Sequence, residues 1–234
     1  MATIASRLHQ VRARIAQACA AAGRPVQSVT LLAVSKTCAA PRLREAFDAG
    51  QRAFGENYVQ EALDKMAQLA DLRADIEWHL IGPLQSNKTR VVAGQFDWVH
   101  SVDRLKLAER LSAQRPAHLA PLQVCLQVNI SGEASKSGVA PADVPALART
   151  VAALPGLRLR GLMAIPEPAA DFEAQRMPHR ALRDLLSALQ TELQSVPLDT
   201  LSIGMSDDLE AAVAEGATLV RIGTAIFGAR PAVG

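Results

Sequence analysis

Eight short, mostly apolar runs, each followed by a polar or helical stretch, constrain this 234-residue chain more than any other feature. The runs cover residues 31–37, 53–55, 77–82, 98–101, 122–130, 157–165, 200–203 and 218–222. Helical stretches are expected at 41–50, at about 58–69, at 86–92, around Leu105, Leu107, Ala108 and Leu111 with Asp103 as N-cap, at 141–154, at about 172–194 and at 207–215. Another helix precedes the first run, where Ile4, Leu8, Val11, Ile15 and Cys19 share one face before Gly23 and Pro25 end it. Near-continuous apolar runs suit strands buried on both faces, and strict alternation with helices implies right-handed crossovers in a parallel sheet. Eight such units in a chain of this size predict an α/β fold, a TIM (β/α)8 barrel occupying residues 1–234 as one domain, with an extra N-terminal helix. A doubly wound open sheet is the competitor, but no G-x-G-x-x-G follows the first strand.

Hydrophobic residues make up 49% of the chain and aromatic ones only 3%, so the core is built from Leu, Val, Ile and Ala. A net charge of +2 and the lack of a basic run argue against a nucleic-acid partner. Cys19, Cys38 and Cys125 form an odd set without C-x-x-C spacing, which predicts a reducing, cytoplasmic setting. No stretch is apolar enough for a bilayer, so no membrane association is expected. The five histidines lack metal-ligand spacing, and no metal site is expected.

In a parallel barrel the chemistry sits at the carboxyl ends of the strands. Lys36 ends the first run on the same face as Leu32 and Val34, where a partly desolvated amine can attack a carbonyl; the plainer reading is a lysine ending a strand in water. Gly204-Met205-Ser206 and Gly223-Thr224 follow the seventh and eighth strands, positions that often bind phosphate, or else are simple turns with Asp207 capping a helix. Arg221 lies on an apolar strand, on the face of Leu219 and Gly223. It is either an inward arginine paired to a carboxylate or a donor to a pyridine nitrogen, which a permanently charged guanidinium cannot protonate. An amine and two phosphate loops together favour a phosphorylated aldehyde. Lys136, in a Gly/Ser loop at the mouth, is a solvated lysine or a further ligand contact.

The residues that carry this reading fall within longer motifs. These are Leu32-Ala33-Val34-Ser35-Lys36-Thr37, Phe54-Gly55-Glu56-Asn57-Tyr58-Val59-Gln60-Glu61 and Trp78-His79-Leu80-Ile81-Gly82-Pro83-Leu84-Gln85-Ser86-Asn87-Lys88. They continue with Gly161-Leu162-Met163-Ala164-Ile165-Pro166, Leu201-Ser202-Ile203-Gly204-Met205-Ser206-Asp207-Asp208 and Val220-Arg221-Ile222-Gly223-Thr224-Ala225-Ile226-Phe227-Gly228. In these motifs the chain resembles the pyridoxal-phosphate homeostasis protein family, small proteins similar to the fold-type III barrel domain of alanine racemase. The resemblance implies pyridoxal 5′-phosphate held as a Schiff base on Lys36, phosphate contacts at Ser206, Gly223 and Thr224, Arg221 facing the pyridine nitrogen, and Asn57 and Met205 against the cofactor. Cys38 departs from the pattern, standing where many members carry a second lysine, and the lysines often found at the family's C-terminus are missing from 229–234.

The function implied is binding and buffering of the cofactor inside the cell, with cofactor-dependent apo-enzymes as partners and no catalytic residue. The alternative is a pyridoxal-phosphate racemase or related low-activity enzyme. Related racemases take an opposing tyrosine base from a second, β-rich domain, whereas here the barrel units run to Gly228 and the one tyrosine, Tyr58, follows the second strand. Without that domain the chain is expected to be a monomer. A phosphosugar isomerase or Schiff-base aldolase shares the barrel but not these motifs.

Overall fold

The N-terminal helix α1 (Ile4–Ala21) starts where the Thr3 hydroxyl accepts the Ser6 N–H, and it buries Ile4, Leu8, Val11, Ile15 and Cys19 along one face. The computed structural model describes residues 3–133 and 137–228, so Lys136 and the stretch 229–234 lie outside the described residues. The strands are β1 (Thr30–Val34), β2 (Ala53–Glu56), β3 (Glu77–Leu80), β4 (Trp98–Val102), β5 (Leu122–Gln127), β6 (Leu157–Met163), β7 (Thr200–Ser202) and β8 (Leu219–Ile222). Among the described residues seven α-helices lie between them in chain order: α2 (Ala40–Asp48), α3 (Val59–Gln68), α4 (Thr89–Gln95), α5 (Leu105–Gln114), α6 (Val144–Ala152), α7 (Phe172–Glu192) and α8 (Leu209–Ala214). Each strand pairs in parallel with its sequence neighbours and β8 pairs with β1, giving the closed eight-stranded TIM barrel that the alternation predicts.

Among the described residues only the one-turn helix α9 (Thr224–Phe227) follows β8, which would leave one flank of the barrel uncovered. Helix α1 takes that place, packing against α2, α8 and α9.

Outward strand side chains such as Phe54, Trp78, Val99, Leu126 and Val220 join the apolar faces of the helices in one continuous core. The lumen is different. Leu32, Ala53, Ile81 and Leu219 fill the side formed by β1–β3 and β8, and Trp98, Cys125 and Met163 fill the side formed by β4–β6. Buried His79, His100, Ser202 and Arg221 stand on the strands where these two halves meet.

Several strands stop earlier than their apolar runs. β1 ends at Val34, and Thr37 takes a left-handed backbone (φ 64°) so that residues 35–37 turn across the mouth. Beyond Gln127 the fifth run makes only one bridge, Val128 to Val139, and the sixth strand ends at Met163. The expected N-cap of α5 is also displaced: Arg104 holds that position, and the Asp103 carboxylate accepts from its guanidinium at 2.6 Å instead of capping the helix. In β6 a Cβ on Gly161 (φ 155°) would stand 1.8 Å from the Thr200 carbonyl oxygen, so β6 and β7 pair only because this residue is glycine. Among the described residues no helix is long and apolar enough to cross a membrane, and no cluster of side chains could hold a metal ion.

Candidate functional site

A cavity of about 630 Å³ opens at the carboxyl ends of the strands. Lys36, Asn57, Met205, Ser206, Arg221, Gly223 and Thr224 all line it, brought together from β1, β2, β7 and β8. Val34, Cys38, Ile81, Ile165 and Phe227 supply apolar wall.

Lys36 projects from a turn fastened on both sides. The Ser35 N–H donates to the Gly55 carbonyl at 2.9 Å, and the Ser35 hydroxyl donates to Glu56 Oε1 at 2.6 Å. Glu61 Oε1 accepts the Thr37 N–H at 2.5 Å. Behind the turn, buried Lys65 spends its three protons on the Ser35 carbonyl (2.7 Å), Glu56 (2.7 Å) and Glu61 (2.5 Å). Burial pushes the Glu56 carboxyl up from its ordinary value, against the pull of Lys65. Sequence reasoning missed this cluster; the four-residue spacing of Glu61 and Lys65 on one helix face was the available signal. Burial likewise pushes the Cys38 thiol up, so it adds packing beside Lys36 and not a thiolate.

Asn57 is set by a close backbone approach, since a Cβ on Gly82 would lie 2.3 Å from the Asn57 carbonyl oxygen. Across the mouth, the loop after β7 is pinned at several points. The Met205 N–H donates to Asp208 Oδ1 at 2.6 Å, and buried His179 from α7 donates to Asp208 Oδ2 at 2.9 Å. Arg14 of α1 grips both oxygens of Glu210 at 2.6 Å and donates to the Ser206 carbonyl at 2.7 Å. The plain alternative of an Asp207 cap does not occur: Asp208 holds the N-cap position of α8, and its carboxylate serves the turn.

Arg221 is 4% exposed, and its acceptors are neutral. Nη1 donates to the Ser202 carbonyl (2.6 Å) and hydroxyl (2.9 Å), and Nη2 donates to the Ala164 carbonyl (2.9 Å). The carboxylate partner considered from sequence is not there among the described residues; Asp208 acts on it only through space. Burial pushes this guanidinium down to about 10, which leaves it charged at neutral pH. A guanidinium has five N–H donors, so those not used on these carbonyls and the hydroxyl remain for a ligand. Tyr58, by contrast, is 57% exposed at the start of α3 and does not line the cavity.

The arrangement can therefore present an amine, a buried cation with donors to spare and two small-residue loops to one phosphorylated, planar ligand. Its relatives are consistent with that chemistry. The "Pyridoxal phosphate homeostasis protein" of Pseudomonas aeruginosa is 64% identical over 98% of this chain and 97% of its own length. PipY of Synechococcus elongatus PCC7942, solved with pyridoxal phosphate bound, is 41% identical over 97% of this chain and 100% of that one, with a TM-score of 0.85. Alanine racemase of Corynebacterium glutamicum shares the fold at 19% identity (TM-score 0.69), and the match covers 99% of this chain but 62% of the racemase. The family model for the alanine racemase N-terminal domain matches residues 6–231. The chain belongs to the pyridoxal phosphate homeostasis protein family, within the larger group built on the alanine racemase N-terminal domain.

Proposed function

We propose that this protein binds pyridoxal 5′-phosphate in the cavity at the barrel mouth, covalently as a Schiff base on Lys36, and buffers and supplies the cofactor in the cytoplasm. The observation that carries this reading is the convergence of Lys36, Arg221 and the loops at Ser206 and Gly223-Thr224 on one cavity of about 630 Å³, within the usual range for small-molecule sites. The bound group supplies an aldehyde carbon that an amine can capture. Lys36 supplies the amine, and the fastened 35–37 turn keeps it pointed into the cavity. Ser206, Gly223 and Thr224 bind the phosphate, Arg221 donates to the ring nitrogen, and Asn57 and Met205 pack on the ring. A cationic donor at that nitrogen cannot hand over its proton at neutral pH, which keeps the ring a weak electron sink. The three free cysteines fit a reducing compartment.

Storage is favoured over turnover by the position of Tyr58. Two-sided proton transfer needs an acid–base group facing Lys36 across the ligand, and the chain's single tyrosine lies outside the cavity. The names of the relatives likewise describe homeostasis and not a reaction. The reading extends to a monomer that passes cofactor to apo-enzymes. Its test is direct: purified protein mixed with pyridoxal 5′-phosphate forms a borohydride-reducible adduct, and Lys36→Ala abolishes it. Racemisation of alanine at about 1 per second or faster would replace the storage reading with an enzymatic one.

A further inference from the structure

A line of hydrogen bonds crosses the barrel lumen and ends on Arg221. His79 Nδ1 lies 2.9 Å from His100 Nε2, His100 Nδ1 lies 2.9 Å from Ser202 Oγ, and Ser202 Oγ accepts from Arg221 Nη1 at 2.9 Å. Beyond His79, its Nε2 faces Glu77 Oε2 at 3.4 Å, an electrostatic approach that makes no hydrogen bond, at the amino end of β3. Stacking on Trp98, with ring centroids 5.3 Å apart, holds the His79 ring, and the Trp98 indole N–H donates to the other Glu77 oxygen.

The two ends decide where every proton sits. A guanidinium only donates and a carboxylate only accepts. Ser202 Oγ therefore takes the Arg221 proton and turns its own hydroxyl toward a bare His100 Nδ1. His100 then carries its proton on Nε2 and donates to a bare His79 Nδ1, and His79 carries its proton on Nε2, toward Glu77. The opposite order would set a bare His79 Nε2 against the Glu77 carboxylate and leave the Ser202 hydroxyl with no acceptor in the line. Both rings are neutral in this arrangement. Burial, with the charge of nearby Arg221, pushes His100 well below the ordinary histidine value in support.

We propose that Ser202 and His100 are positioning residues for Arg221: the ordered line from Glu77 through both histidines keeps the Ser202 oxygen an acceptor and holds the guanidinium with its unspent donors toward the cavity. The inference rests on the reading of Arg221 as the group that meets the cofactor ring. It assigns a task to His79 and His100, which lie 21 residues apart in sequence and touch no ligand in that reading.

NMR of protein labelled with 15N-histidine, recorded at neutral pH with and without pyridoxal 5′-phosphate, reads the ring protons directly. His79 and His100 are assigned through His79→Asn and His100→Asn. Both rings are expected to be neutral Nε2–H tautomers in either state. An Nδ1–H tautomer or a doubly protonated ring at either position overturns the proposal. In loaded protein, Ser202→Ala is expected to weaken cofactor binding about tenfold, the scale of one lost hydrogen bond to a charged group, and to move the cofactor's absorbance band while borohydride still fixes the adduct on Lys36. His100→Asn, whose amide oxygen can take the place of Nδ1, is expected to keep the band. An unchanged band and affinity in Ser202→Ala would show that the carbonyls of Ser202 and Ala164 hold Arg221 unaided, and would overturn the positioning role. Loss of the reducible adduct in the unsubstituted protein would instead defeat the cofactor reading, while the ring protons would still decide how the line is ordered.

Discussion

Arg221 is held by two carbonyls and a hydroxyl, so removing it does more than delete a charge. Arg221→Gln leaves the Ser202 and Ala164 carbonyls short of donors in a buried place, and a loss of about 2–3 kcal/mol is expected, read as a lower urea midpoint. The same substitution should alter the absorbance of bound cofactor, since a neutral amide replaces the cation that the proposed function sets against the ring. Lys65 gives a second test at this scale. Lys65→Met strands Glu56 and Glu61 without their cation, at a cost of about 3–5 kcal/mol, and loosens the turn that carries Lys36. Adding Glu56→Gln should recover part of that loss, a non-additivity that a double-mutant cycle measures.

The loops at the strand ends respond to different changes. Burial raises the Asp208 carboxyl, but hydrogen bonds from His179 and the Met205 N–H outweigh it and hold the group below the ordinary 3.8. Its folded value lies under its unfolded one, so the stability it adds is complete above about pH 4 and fades as the pH falls through the folded value. His179→Ala removes the main lowering partner, so acid unfolding should begin at higher pH. Gly82→Ala should push the Asn57 backbone out of place and weaken cofactor binding more than it lowers overall stability. The alternating strands and helices were legible because parallel strands buried on both faces leave unbroken apolar runs. The points where strands stop were not: residues 128–130 and 164–165 are as apolar as the strands they extend, yet they line the mouth or leave the ladder. The Asp103 cap failed for a related reason, since a neighbouring guanidinium competed for the same carboxylate.

Across the whole molecule, α1 stands in for a full helix after β8 and also reaches the site through Arg14. Leu8→Ala, in the middle of its buried face, should cost about 2–5 kcal/mol. Arg14→Ala removes a partly exposed ion pair and should cost less than about 1 kcal/mol, yet weaken cofactor binding by freeing the Ser206 carbonyl. Lys36, Ser206, Arg221, Gly223 and Thr224 were legible because they end strands or follow them, where the barrel collects its loops. Asn57 and Met205 were named as cofactor contacts only through the family resemblance, and the structure brings all seven to one cavity. The line through His79, His100 and Ser202 was not, because its members meet only across the closed lumen, up to 102 residues apart, with no local period to betray them. The central claim is that one amine, Lys36, takes the cofactor. Mass spectrometry of protein loaded with pyridoxal 5′-phosphate, reduced with borohydride and digested, should find the pyridoxyl group on Lys36 alone; a group on another lysine, or on none, would contradict it.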